Sequence, residues 1–163
     1  MLEQTGETEY TETAGLYYED LVEGLTIHHR PGRTIGEADN TWMTLLSMNK
    51  HPLHFDADYA KNTEHGRIVV NSVVTFAIVN GMTVYSLSAR TPANLGWNDV
   101  RLIHPVFIGD TLYASSIVKS RRLSASRPGD GIVTAFTTGF NGENTPVISF
   151  SRTFLVPCRR VPT

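Results

Sequence analysis

Residues Val69 to Ser88 constrain this chain more than any other stretch. Val73, Val74, Phe76, Ala77, Ile78, Val79, Met82, Val84, Tyr85 and Leu87 place apolar groups on nearly every side of a helix. A helix without a polar face has to be wrapped by other elements rather than laid on a surface. Asn71 or Ser72 can cap its N-terminus. Gly81 weakens it in mid-helix, which points to close approach by a neighbouring backbone.

The segments around that helix read as strands. After Thr91-Pro92, Asn94 to His104 and Thr111 to Leu123 flank a turn-rich connection, Pro105 to Asp110. Ile132 to Asn141 and Val147 to Val156 form a hairpin about Asn141-Gly142-Glu143-Asn144. Alternation of Val133, Ala135, Thr137 and Gly139 with their neighbours indicates one buried face. Before the helix, Leu25 to Ile35 suits an edge strand bent at Pro31-Gly32, with His28 and His29 both read as surface residues. A helix start at Thr34 to Asp39 leads to Trp42, Leu45, Leu46 and Met48, an apolar face at helical spacing. Leu16 to Leu21 fits a short helical turn, and Tyr59 to Glu64 a short helix. One earlier strand, a long buried helix and four antiparallel strands make an α+β fold, a curved antiparallel sheet wrapped around a central helix.

A chain of 163 residues fits one domain with a real core. Residues 1–15 are rich in Glu and Thr and are expected to be a disordered or draped arm; the domain then covers 16–157, with a tail at 158–163. The net charge of −2 gives no general affinity for nucleic acid or an anionic membrane. A single cysteine, Cys158, excludes an internal disulfide and fits a reducing compartment. Arg159 and Arg160 beside it can lower its pKa, but no nucleophile motif surrounds it, so an inert thiol is expected. No run approaches a membrane span and the N-terminus lacks a signal peptide's pattern, so a soluble cytoplasmic protein is expected.

The chemistry-bearing stretch is Ser47 to Asp58, which holds His51 and His54 three residues apart around Pro52, with Asn49, Asp56 and Asp58 close by. Pro52 fixes its own φ and biases His51 away from helix, so a stiff loop is expected there. Stiff loops on a scaffold are common carriers of function. The plain alternative is a polar connection whose histidines only hydrogen-bond locally.

Three patterns together resemble a known family: Pro52-Leu53-His54-Phe55-Asp56, Gly66 to Ser72 leading into the central helix, and Pro105-x-x-x-Gly109-Asp110-Thr111-Leu112. The chain is similar, from about Tyr17 to Val156, to the MaoC-like, R-specific enoyl-CoA hydratases (hydratase 2). The resemblance implies a hot-dog domain with an active-site overhang segment. The family's usual loop reads Asp-x-Asn-Pro-x-His, with the Asp and His sharing acid–base work. Here His54 matches the histidine, Asn49 stands at the aspartate, and His51 stands at the asparagine before proline. The family's His-Gly at the helix start is Asn71-Ser72. This Asn form is similar to a branch associated with branched dicarboxylic substrates such as mesaconyl-CoA, itaconyl-CoA or methylmalyl-CoA.

Hydration of an enoyl thioester needs an activated water, a proton for C2 and donors for the thioester oxygen. The resemblance assigns His54 as general base for hydration and general acid for dehydration. Asn49 can orient water but cannot take its proton as a carboxylate does. His51 is either a second titrating group or a packing substitute for asparagine. Asp56 either orients a histidine or caps the following helix. Asn71 is a supporting residue, and the backbone N–H groups of Ser72 and Val73 at the helix start are the expected oxyanion donors. Arg67 can face a substrate carboxylate. Arg121, Arg122 and Arg127 can meet coenzyme A phosphates or form a solvated turn. His51-x-x-His54-x-Asp56 also reads as two imidazoles and a carboxylate for a metal; Pro52 and the resemblance argue against that, and no metal or separate cofactor is expected. Two rival functions remain: an acyl-CoA thioesterase, disfavoured because Val69 to Ser88 contains no Asp or Glu, and a non-catalytic acyl-CoA binder. A homodimer is expected, because one copy leaves a sheet face to cover.

Overall fold

The computed structural model describes residues 2–159. Residues 160–163, which close the expected tail and include Arg160, lie outside them. The segment expected to be a disordered or draped arm holds a small hairpin, β1 (Leu2–Gln4) against β2 (Tyr10–Glu12). A 3-10 turn over Tyr18–Asp20 precedes β3 (Thr26–Thr34), α1 (Glu37–Leu46), α2 (Ala57–Lys61) and α3 (Ser72–Thr83). Four strands follow: β4 (Asn94–Leu102), β5 (Thr111–Leu123), β6 (Asp130–Phe140) and β7 (Pro146–Pro157). They form an antiparallel sheet with β3 in the order β3-β5-β6-β7-β4.

The expected edge strand is β3, whose register shifts between His29 and Arg33, around Pro31 and Gly32. The expected alternation holds on β6, where Gly131, Val133, Ala135, Thr137 and Gly139 are buried. Val74 and Val79 of α3 pack with Leu112, Ala114, Ile148 and Phe150 of the sheet. Phe76 meets Phe150 edge to face, with ring centroids 5.1 Å apart. Leu87, Val118, Phe154 and Val156 form a second cluster at the far end of the helix.

The sheet packs against the long central helix, on which Val73, Val84 and Tyr85 remain exposed. A π-helical turn over Val84–Ser88 extends it. Gly81 does not mark a close approach, since a Cβ there would meet nothing within 4 Å. That role falls to Gly139 of β6, where a Cβ would lie 2.7 Å from Val79 Cγ2 and 2.8 Å from Ile148 Cγ2. The apolar face of α1 points outward. Trp42, Leu45, Leu46 and Met48 are exposed, while Asn40 and Thr44 are the residues turned inward.

His29 is buried rather than on the surface. Its ring lies across the core, with Nδ1 3.0 Å from Ser86 Oγ and Nε2 2.8 Å from Ser116 Oγ, which in turn meets Thr137 Oγ1 at 2.7 Å. Burial, then the charges of His28, Arg152 and Arg30, lower its pKa from 6.5 to about 4. Arg152 lies in the same polar band. Its Nη1 donates to Asn80 Oδ1 (3.1 Å) and Thr83 Oγ1 (3.0 Å), and burial lowers its pKa to about 10.

Two predictions follow from this packing. Gly139→Ala should destabilise by about 1–3 kcal/mol through overpacking, whereas Gly81→Ala should stabilise by up to about 1 kcal/mol through helix propensity; urea unfolding of both variants measures the contrast. For His29 the folded pKa is depressed, so between pH 6.5 and about 4 the unfolded chain binds more protons and stability falls with pH. The melting temperature of the wild type should therefore drop relative to His29→Gln as pH falls through that window. A constant offset would contradict it.

Candidate active site

The loop is built by local hydrogen bonds that its sequence supplies. Met48, in the left-handed region at φ 54, ends α1. Asn49 Oδ1 then accepts the N–H of His51 (3.0 Å), and His51 Nδ1 accepts the N–H of Leu53 (3.3 Å). Pro52 opens a 3-10 turn over Pro52–His54, its fixed φ suiting the first position. Asp56 caps α2 by accepting from the N–H of Tyr59 (2.9 Å), the plainer of its two expected roles.

The turn is stitched to the segment before α3. Val69 N–H donates to Leu53 O (3.2 Å), and Val69 O lies 2.8 Å from His54 Nδ1. A carbonyl only accepts, so Nδ1 carries the hydrogen, and in the neutral ring the lone pair is on Nε2. The His54 ring is half-buried, and the His51 ring lies beside it with centroids 5.9 Å apart.

Asn71 is the N-cap of α3, its Oδ1 accepting from Val73 N–H at 3.0 Å. That bond removes Val73 from the expected pair of oxyanion donors, because its N–H already has a partner. Ser72 is different. It is exposed at the first turn of α3, beside a groove of about 260 Å³ lined by Val69, Thr75, Ile103, His104 and Pro105. Its backbone N–H belongs to the helix-end set that has no carbonyl partner within the helix.

Asn40 was not singled out from the sequence. It is 2% exposed. Its Nδ2 donates to His54 O (2.7 Å) and its Oδ1 accepts Asn71 N–H (2.9 Å). Asn71 Nδ2 in turn meets Thr44 Oγ1 at 3.3 Å and Ser47 Oγ at 3.5 Å. An asparagine inside a helix, where its amide competes with the backbone, was the available signal.

The expected basic residues do not gather here. Arg67 is exposed, with its guanidinium 3.7 Å from the Phe107 ring centroid, in a separate pocket with Gly109, Asp110 and Asn141. Arg121 Nη1 donates to Tyr18 O (2.9 Å), which makes it a tie between β5 and the 3-10 turn. Arg127 pairs with Asp130 at 2.8 Å, and Arg122 is exposed nearby. Thr111, at the Phe107 end of β5, is separated from Arg121 by ten residues, about 33 Å of strand. Within one chain these three arginines therefore sit at the other end of the sheet from His54. Burial, then Glu19 and Asp130, raise the pKa of Cys158, which does not favour its thiolate. Among the described residues, no helix is long and apolar enough to cross a membrane.

Comparison with known proteins shows the family and the fold. The profile of the mesaconyl-CoA hydratase family matches residues 2–163. A mesaconyl-CoA hydratase of Haloarcula marismortui is 34% identical over 154 residues, 93% of this chain and 42% of that protein. The chain thus spans well under half the length of the curated relatives it matches. A Chloroflexus aurantiacus structure described as a MaoC domain protein dehydratase superposes with a TM-score of 0.85 at 31% identity, covering 91% of this chain and 43% of that one. A Mycobacterium tuberculosis protein described as having a double hot-dog fold superposes at 0.81 and 23% identity, covering 91% and 47%. With its single curved sheet packed on α3 and its histidine loop beside the start of that helix, the chain is a hot-dog domain that belongs to the MaoC-like mesaconyl-CoA hydratase family.

Proposed function

We propose that the chain reversibly hydrates a 2-enoyl-CoA thioester, with His54 as the group that takes and returns the proton. The observation that carries this reading is the Val69 carbonyl, 2.8 Å from Nδ1, which leaves the Nε2 lone pair for substrate chemistry. Nε2 takes a proton from water as the water oxygen bonds to C3. The C2–C3 π electrons move towards the thioester oxygen, and the N–H of Ser72 at the start of α3 receives that developing charge. The imidazolium then supplies the proton that C2 needs, so the net change is addition of one water. Asn49 uses its oxygen on His51, which leaves its NH₂ group to orient the water. His51 is the second titratable ring within reach of His54. Coenzyme A enters as part of the substrate, and the mechanism uses no separate cofactor.

The family profile and the relatives' names support a branched dicarboxylic acyl group such as that of mesaconyl-CoA as the substrate, and itaconyl-CoA is the related candidate of the same class. Arg67, in the neighbouring pocket that shares Pro105 with the groove, is the cation for the second carboxylate. A panel of straight-chain and dicarboxylic enoyl-CoA thioesters, read by mass spectrometry for gain of one water, tests the reading. His54→Ala should lose about 100- to 10,000-fold in rate, and near-native hydration by that variant would refute the role. Release of free thiol would identify a thioesterase, and saturable binding without turnover a non-catalytic relative.

The reading includes a second copy of the chain. β4 has one strand neighbour, and Leu95, Trp97, Val100 and Leu102 on it are exposed, as is Trp42 on α1. An apolar edge strand of this kind needs cover. Sedimentation analysis should return a homodimer at micromolar concentration; a monomer there would remove this part.

A further inference from the structure

We infer that Asn40 is a positioning residue, which holds His54 and the N-terminus of α3 in one fixed relation. The inference rests on the hydration reading above. A single buried amide faces both parts of the site: Nδ2 donates to the His54 carbonyl and Oδ1 accepts from the Asn71 N–H, at 2.7 and 2.9 Å. The His54 ring and the Ser72 N–H must act on opposite ends of the same conjugated thioester. Their separation is set by the backbone of residue 54 and the backbone of residue 71. Asn40 is the one side chain among the described residues that bonds to both.

At neutral pH an amide satisfies this pair of partners where its carboxylate isostere does not. An aspartate has nearly the same shape but places an acceptor against the His54 carbonyl. A leucine leaves both backbone groups without their partner. An asparagine in a helix is otherwise a poor choice, which leaves the contact itself as the reason for it. Thr44, one helical turn later on the same face, meets Asn71 Nδ2 and extends the neutral network without reaching His54.

The experiment uses the full chain, Asn40→Asp and the milder Asn40→Ser. At neutral pH, Asn40→Asp should lower kcat by roughly 100-fold with KM little changed, the scale of a 1 Å misplacement. Lowering the pH should restore part of the loss, because a protonated carboxyl can again donate to the His54 carbonyl; wild type should show no such gain. Asn40→Ser should shift kcat in the same direction. In parallel, nitrogen-15 spectra of histidine-labelled protein without substrate should show His54 held as the Nδ1–H tautomer in the wild type and mixed in Asn40→Asp at neutral pH. Unchanged kcat together with an unchanged His54 tautomer in both variants would overturn the inference, as would a loss confined to KM or to melting temperature. Should the wild type hydrate no enoyl-CoA, the functional reading fails, and the His54 spectra still decide the role of Asn40.

Discussion

The two backbone bonds of Val69 are the constraint on which the rest of the site depends. Its N–H holds Leu53 and its carbonyl holds His54 Nδ1, so one residue fixes both the path of the turn and the tautomer of the ring. Ring orientation and proton location are then properties of the folded chain and need no substrate to be established. Val69 itself is anchored, because it bridges to Phe107 and its neighbour Val70 donates to Val106 O at 2.8 Å. Histidine loop, helix start and the connection before β5 therefore behave as one unit. This explains why three sequence patterns far apart in the chain were informative together.

Much of the fold was legible because its signals are local. The strand spans, the hairpin turn at Asn141 and the N-cap at Asn71 each rest on residues close in sequence. What failed was anything that depended on which surface another element occupies. Gly81 and Gly139 are equally silent in sequence about what approaches them; only the packing of Val79 distinguishes them. His29 looked exposed because alternation fixes two faces and cannot say which is inside when both carry polar residues. Thr137 and Ser116 line that interior, and no hydrophobic count reveals it.

The site shows the same division. His54, Asn49, His51 and Asp56 lie within one short stretch, and the histidine turn could be read directly. Asn40 lies fourteen residues earlier and Asn71 seventeen later, and they meet only because α1 packs beside α3. Val73 shows the limit from the other side. The start of α3 offers several N–H groups, but a capping side chain consumes one of them, and the count of free donors follows from the cap. The arginines were placed together by their proximity to a loop, and the length of β5 keeps them at the opposite end of the sheet.

The π-helical turn at Val84–Ser88 has a consequence for how related chains compare. Each residue of an α-helix advances about 100° around the axis, so one extra residue rotates everything after it by that amount. Ser86 reaches His29 and Leu87 reaches the far core in that rotated phase. The rod therefore carries two registers in one continuous segment. A homologue one residue shorter there would superpose on the first half and be out of step in the second, and would have to find another partner for its counterpart of His29.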